Sequence, residues 1–260
     1  MLIDTHAHLN FIQYQSDLDQ VIAQALEAGV EKIVCPGSNL TDSARSLKLG
    51  RQFPNFILPA VGIHPQQTNP KNDQSVSQQI GLLEELISRQ HPIAIGECGL
   101  DFAPVPPGEK ERPSKDQEKL FFGQIKLAQK YRLPLLIHTR KSFPETVEIL
   151  NQFKDLRGVF HCYSAGRKGM TAVDRLGFYY GFDGNLTYDE GLQKIASLVP
   201  SEKILLETDS PFLAPTPFRG QRNQPAYLIE TARKLAEIKK VSLKEVSQTT
   251  TQNAKKLFEF

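Results

Sequence analysis

The chain has 260 residues, of which 40% are hydrophobic, and 31 basic against 29 acidic side chains give a net charge of +2. That apolar content excludes a disordered chain. The near balance of charge excludes a protein that coats duplex DNA through a strongly basic surface, but not one that grips a few phosphates locally. Three scattered cysteines, Cys35, Cys98 and Cys162, do not form a disulfide framework and point to a reducing cytoplasm. No basic stretch followed by a long apolar run opens the chain, so no secretion signal is expected. No apolar stretch reaches the roughly 18–20 residues that span a bilayer, so no membrane association is expected.

Short runs rich in Val, Ile and Leu recur along the chain and read as strands. In order they are LIDTHAHL from Leu2, KIVCPG from Lys32, FILPAVGIHP from Phe56 and IAIGECGLD from Ile93. PLLIHTR from Pro134, GVFHCYS from Gly158, FYYGFDG from Phe178 and KILLETDSPFL from Lys203 complete a set of eight. Their nearly continuous apolar character is that of parallel strands covered on both faces. Amphipathic stretches alternate with them. SDLDQVIAQALEAGV is expected to be a helix capped by Ser16 and closed at Gly29. DQEKLFFGQIKLAQKY places Leu120, Gln124 and Leu127 at helical spacing beside Phe121, Ile125 and Ala128. Two more helices, AYLIETARKLAEIKK and SLKEVSQTTTQNAKKLFEF, follow the eighth strand and are expected to close the outer layer. Alternating strands and helices over eight rounds predict an α/β fold, a (β/α)8 TIM barrel with extra C-terminal helices, formed by residues 1–260 as one domain. The Pro-rich segment after Asp101 reads as a long surface loop.

In such a barrel the chemistry gathers at the C-terminal ends of the strands. The first run ends in His6 and His8, the third in His64, the fourth in Glu97 and Asp101, the fifth in His138, the sixth in His161, and the eighth in Glu207 and Asp209. Five of the six histidines therefore fall at strand ends, and only His91 does not. In a strand, side chains two apart share a face, so His6 and His8 point the same way. One such histidine is more often a hydrogen-bonded structural residue, but five at equivalent positions with carboxylates between them are not explained by packing. Imidazole nitrogens with carboxylate oxygens suit zinc, magnesium, manganese or a similar divalent ion. The donors outnumber the needs of one tetrahedral ion, and two ions sharing a carboxylate would use them well. The residues alone thus point to metal-assisted hydrolysis, with the substrate left open.

The motifs DTHAHL, VGIHP, IGECGLDF, LPLLIHTR, FHCYSAG and LLETDSPFL, with the loop RGQRNQPAY and the closing TTQNAKKLF, run in order through nearly the whole chain. In these the chain resembles the TatD-type metal-dependent deoxyribonucleases of the amidohydrolase superfamily. The resemblance implies that His6, His8 and Asp209 hold one ion with Glu97, and that Glu97 bridges to a second ion held by His138 and His161. It makes Asp209 the base that activates water and joins Glu97 and His64 to it as catalytic residues, His64 serving as a further ligand or as a substrate contact. Glu207 would orient a ligand or be a satisfied buried carboxylate. Arg140, Arg219 and Arg222 would contact phosphates, since a guanidinium matches phosphate oxygens in pairs, and Asn223 would order their loop.

Cys98 and Cys162, flanking Glu97 and His161, are expected to turn away from the site as small core residues. Asp101 and Gln117 are expected to hold the loop after the fourth strand. The chain departs from the family in carrying Phe102 for an aromatic hydroxyl, Gln221 for a lysine and Gln224 for an acid, and in its long loop from Ala103 to Lys115. The resemblance implies a nuclease acting on DNA from a strand end, single-stranded in preference to duplex. The alternatives are a hydrolase of an aminoacyl-tRNA ester or small phosphoester, and a barrel kept only for binding, which the complete ligand set argues against.

Overall fold

In the computed structural model, described over residues 1–68, 75–105 and 113–260, eight parallel strands hydrogen-bond in sequence order. They are β1 (Leu2–Asp4), β2 (Val30–Cys35), β3 (Ile57–Val61), β4 (Ala94–Asp101), β5 (Leu135–Arg140), β6 (Gly158–Phe160), β7 (Tyr179–Phe182) and β8 (Ile204–Leu206). The sheet curls until its first and last strands meet. Past their ends, Thr5 N donates to Leu206 O at 3.0 Å, Asp209 N to His6 O at 2.8 Å, and Ala7 bridges Ser210. Helices α1 (Leu18–Glu27), α2 (Leu40–Gln52), α3 (Val76–Gln90), α4 (Ser114–Tyr131), α5 (Phe143–Leu150), α6 (Gly166–Leu176) and α7 (Glu190–Leu198) alternate with the strands. α8 (Leu228–Lys239) and α9 (Leu243–Phe258) follow β8. The expected TIM barrel is the observed fold.

Two apolar layers hold it. The outer layer packs one strand face, including Leu135, Ile137 and Phe160, against helix residues Leu120, Phe121, Ile125 and Leu127. The inner layer fills the barrel with Ile3, Val34, Leu58, Ala94, Leu136, Val159 and Leu205. Ala254, Leu257 and Phe258 of α9 belong to this inner cluster. The last helix is therefore shared: Leu243 and Val246 join the outer layer as expected, and its C-terminal half packs onto the inner cluster.

Other boundaries also differ from the sequence reading. α1 begins one residue later than expected, with Asp17 and not Ser16 in the capping position. Asp17 makes no cap hydrogen bond, because Arg222 holds its carboxylate. Gly29 follows the helix with φ +83°, the conformation that favours glycine there. β1 stops at Asp4, so His6 and His8 stand on an extended segment just beyond the strand. The Pro-rich loop falls partly outside the described residues, at 106–112.

Candidate metal centre

The site grows from strand alternation at the top of the barrel. In β5, Leu136 belongs to the inner core, and His138 and Arg140 continue its face. Val159 and Leu205 likewise share parity with His161 and Glu207, whereas Asp209 lies past β8 with a left-handed backbone, φ 52°. Glu97 reaches the interior differently. Ala94 faces inward and Ile95 outward, so plain alternation would send residue 97 outward. The pairing of β4 with β5 shifts register between Ile95 and Cys98, and past the shift Cys98 and Leu100 face the outer core and Glu97 the interior.

The Glu97 carboxylate is the hub. Its Oε1 lies 2.8 Å from His138 Nδ1, 2.9 Å from His161 Nε2 and 3.3 Å from His64 Nε2. Its Oε2 lies 3.5 Å from His6 Nε2 and 3.4 Å from His8 Nε2. Those two imidazole nitrogens approach within 3.2 Å of each other, and Asp209 Oδ1 stands 3.8 Å from the first and 3.5 Å from the second. All five strand-end histidines and two of the carboxylates named from the sequence are thus brought together.

Burial alone would raise the Glu97 carboxyl, but the surrounding histidines, His64 and His161 foremost, outweigh it and hold the group well below its ordinary range. Burial depresses His6, reinforced by His161. His8 is pushed up to about 9 because Asp209 and Glu97 overcome its burial. The site thus presents ionised carboxylates to a cluster of imidazoles that cannot all be charged at once.

Among the described residues, three groups have donor atoms within 4.8 Å of one another: His6 with His8 and Glu97, His64 with Glu97 and His138, and His6 with His161 and Glu207. The buried donors are imidazole nitrogens and carboxylate oxygens, the set that suits a borderline or hard divalent ion. The Nδ1 atoms of His6 and His8 have no hydrogen-bond partner, while their Nε2 atoms face each other and the Glu97 and Asp209 carboxylates. The residues fit a divalent cation.

His64 differs. Its Nδ1 accepts a hydrogen bond from Gln66 N at 3.1 Å. A neutral imidazole that accepts at Nδ1 carries its proton on Nε2, which faces Glu97. This favours a donor over a ligand role, despite the favourable distances.

Carboxylates stand behind two of the histidines. Asp101 Oδ2 lies 3.5 Å from His138 Nε2 and Glu207 Oε1 3.6 Å from His161 Nδ1, the arrangement that orients imidazole ligands. Gln117 donates to Asp101 O and accepts from Asp101 N, and Gln66 donates to its carboxylate at 2.7 Å. Asp101 therefore faces the site as well as bracing its loop. Glu207 also accepts from Cys162 N at 2.5 Å. A Cβ at Gly181 would lie 2.5 Å from its Oε2, so a side chain there would displace the Glu207 carboxylate.

A pocket of about 610 Å³ opens above the centre, bordered by His8, His64, Glu97, His138, His161 and Asp209 together with Arg140. Cys98 is in the core, as expected, but Cys162 borders the pocket. Its left-handed backbone, φ 45°, breaks the alternation that would have turned it away. Arg219 lies outside the wall, its guanidinium 3.9 Å over the Tyr188 ring. Arg222 is drawn elsewhere: it pairs with both Asp17 oxygens, at 3.0 and 2.5 Å, and donates to Gln13 O. Asn223 orders its loop as expected, donating to Thr208 O and Phe212 O. The sequence reading did not single out Phe11 or Phe212, both of which border the pocket. The signal for Phe212 was its place three residues after Asp209.

A TIM barrel with buried histidines and carboxylates at its C-terminal mouth defines a metal-dependent hydrolase. The chain belongs to the TatD-related DNase family, whose model matches residues 3–259. It is 34% identical over 99% of both chains to YabD of Bacillus subtilis, described as an uncharacterized metal-dependent hydrolase. It is 31% identical, again over 99% of both, to the 3'-5' ssDNA/RNA exonuclease TatD of Edwardsiella piscicida. Among solved structures it superposes on the TatD homologue YjjV of Escherichia coli with a TM-score of 0.89 at 27% identity, covering 100% of this chain and 98% of that one. Among the described residues, no helix is long and apolar enough to cross a membrane.

Proposed function

We propose that this chain hydrolyses phosphodiester bonds at the ends of DNA strands, as an exonuclease using two divalent ions. The observation that carries the reading is the convergence of five histidines on Glu97 beneath a pocket with Arg140 in its wall. His6, His8 and Asp209 form one ligand set and His138 with His161 the other, with Glu97 between them. Bound there, zinc, magnesium or manganese ions would supply an acidified water and offset charge on the phosphoryl oxygens.

The side chains divide the remaining work. Asp209, held low by His8 and other nearby histidines against the upward pull of burial, receives the proton of the attacking water. His64 offers its Nε2 proton to a phosphoryl oxygen as charge develops there. Arg140 and Arg219 meet the flanking phosphates. Its two buried free cysteines and the half-buried Cys162 fit a reducing cytoplasm.

The test is hydrolysis of an end-labelled single-stranded DNA by metal-stripped protein, then with Mg²⁺, Mn²⁺ or Zn²⁺ restored, beside Asp209→Ala prepared identically. Metal-dependent shortening that the variant lacks supports the reading. Two bound ions without cleavage would overturn DNA as substrate and turn attention to aminoacyl-tRNA and small phosphoesters.

A further inference from the structure

Of the fifteen phenylalanines in the chain, only Phe212 is exposed, with 48% of its surface in water. It joins neither apolar cluster, and neither does Phe11. The two rings meet edge to face with centroids 6.3 Å apart. Phe11 also stacks on the His8 imidazole at 4.4 Å and 19°, and Phe212 stands 6.4 Å from the same imidazole. An aromatic shelf therefore begins on a metal-binding histidine and ends in solvent, at the lip of the pocket.

The shelf is fixed. Phe212 N donates to Asp209 O at 2.9 Å, and the fully buried Asn223 donates to Phe212 O at 2.6 Å and to Thr208 O at 2.8 Å. The backbone is pinned while the ring is left outside the core. Burying a phenyl ring stabilises a fold, and here much of that stabilisation is forgone. An exposed ring on a pinned backbone presents a flat face with little backbone ordering left to lose on binding.

We propose that Phe212, backed by Phe11, is a stacking platform for an unpaired nucleobase at the strand end. This deepens the nuclease reading above and rests on it. Arg140 lies on β5, three strands from the β8 loop that carries Phe212, so the base face and a phosphate-binding guanidinium fall on different walls of one pocket. Every base has a π face, so such a platform selects unstacked ends without reading sequence. A paired end already has its bases stacked within the duplex and gains less.

The experiment uses the metal-loaded enzyme and two end-labelled single-stranded oligonucleotides. One is ordinary; the other carries tetrahydrofuran spacers in place of the two terminal nucleosides at each end. The readout is the ratio of kcat/KM between them, which cancels differences in metal loading among variants. The wild type is expected to favour the base-bearing ends by about tenfold or more, mainly through KM. That ratio should fall toward one in Phe212→Ala and in Phe212→Leu, which keeps apolar bulk without a π face, and persist in Phe212→Trp. A wild-type ratio near one overturns the platform, as does an undiminished ratio in Phe212→Ala and Phe212→Leu. A wild type that cuts neither oligonucleotide with any ion overturns the nuclease reading, and the platform with it.

Discussion

Asp4, at the end of the first strand, accepts two hydrogen bonds from Thr208, beyond the eighth: one from the backbone N–H at 3.0 Å and one from the hydroxyl at 2.6 Å. Both residues are buried. The pair joins the two edges of the sheet two residues before His6 and one before Asp209, and so ties barrel closure to the spacing of one proposed ligand set. Thr208→Val keeps the shape and removes the hydroxyl, leaving part of the buried Asp4 carboxyl without its partner. We expect a loss of about 1–3 kcal/mol in urea unfolding of the metal-free protein. A change below about 0.5 kcal/mol would show that the seam is held by backbone pairing alone.

Asp4 also predicts a pH dependence. Burial pushes its carboxyl up to about 8, against the lowering effect of the Thr208 and His6 donors. A carboxyl whose folded value is raised holds its proton more tightly when folded, so its contribution to stability is full below the unfolded value near 4 and is lost as pH rises toward 8. Metal-free wild type should lose stability relative to Asp4→Asn across that interval. Parallel curves of melting temperature against pH for the two proteins would refute the assignment.

Glu97 and Asp209 separate binding from chemistry. Glu97 touches both histidine sets, so Glu97→Ala should lower bound metal and abolish hydrolysis together. Asp209→Asn retains an oxygen donor but a poor base, and should lose about 10²–10⁴-fold in turnover. Metal analysis of the purified variants beside their kinetics distinguishes the two. Near-wild-type activity in either would remove that residue from the mechanism.

The tautomer of His64 makes a sharper demand. With Nδ1 occupied by the Gln66 N–H, His64→Ala should keep the full complement of metal and lose roughly 10²–10³-fold in turnover. His64→Gln, which retains a donor, should recover part of it. Loss of an ion from His64→Ala would make the residue a ligand after all.

The arginines divide by position. Arg140→Ala should weaken binding of labelled single-stranded DNA and reduce the slope of log affinity against log salt by about 0.7, the contribution of one phosphate contact. Arg222→Ala should leave the slope alone, because that guanidinium is spent on Asp17 and Gln13. It should cost at most about 1 kcal/mol of stability, as expected for a largely exposed pair. Fluorescence anisotropy over a range of salt measures the first effect. A reduced slope in Arg222→Ala would mean that the pair opens to receive the nucleic acid.

What the sequence determined by itself follows from periodicity and local chemistry. Eight apolar runs alternating with amphipathic stretches require covered parallel strands, and histidines or carboxylates ending six of those runs must then share the mouth of a barrel. The convergence of His6, His8, His138, His161 and Asp209 was legible on that basis, because strand ends in a barrel meet at its mouth. The tertiary structure decided what departs from regular alternation or depends on distant partners. A register shift in β4 turned Glu97 inward, and a left-handed residue brought Cys162 to the pocket. Asp17, remote in sequence, pairs with Arg222. The C-terminal half of α9 packed onto the inner cluster. Apart from the Cys162 backbone, each of these is a contact between segments far apart in the chain, and a local pattern carries no information about which distant group will arrive to satisfy it.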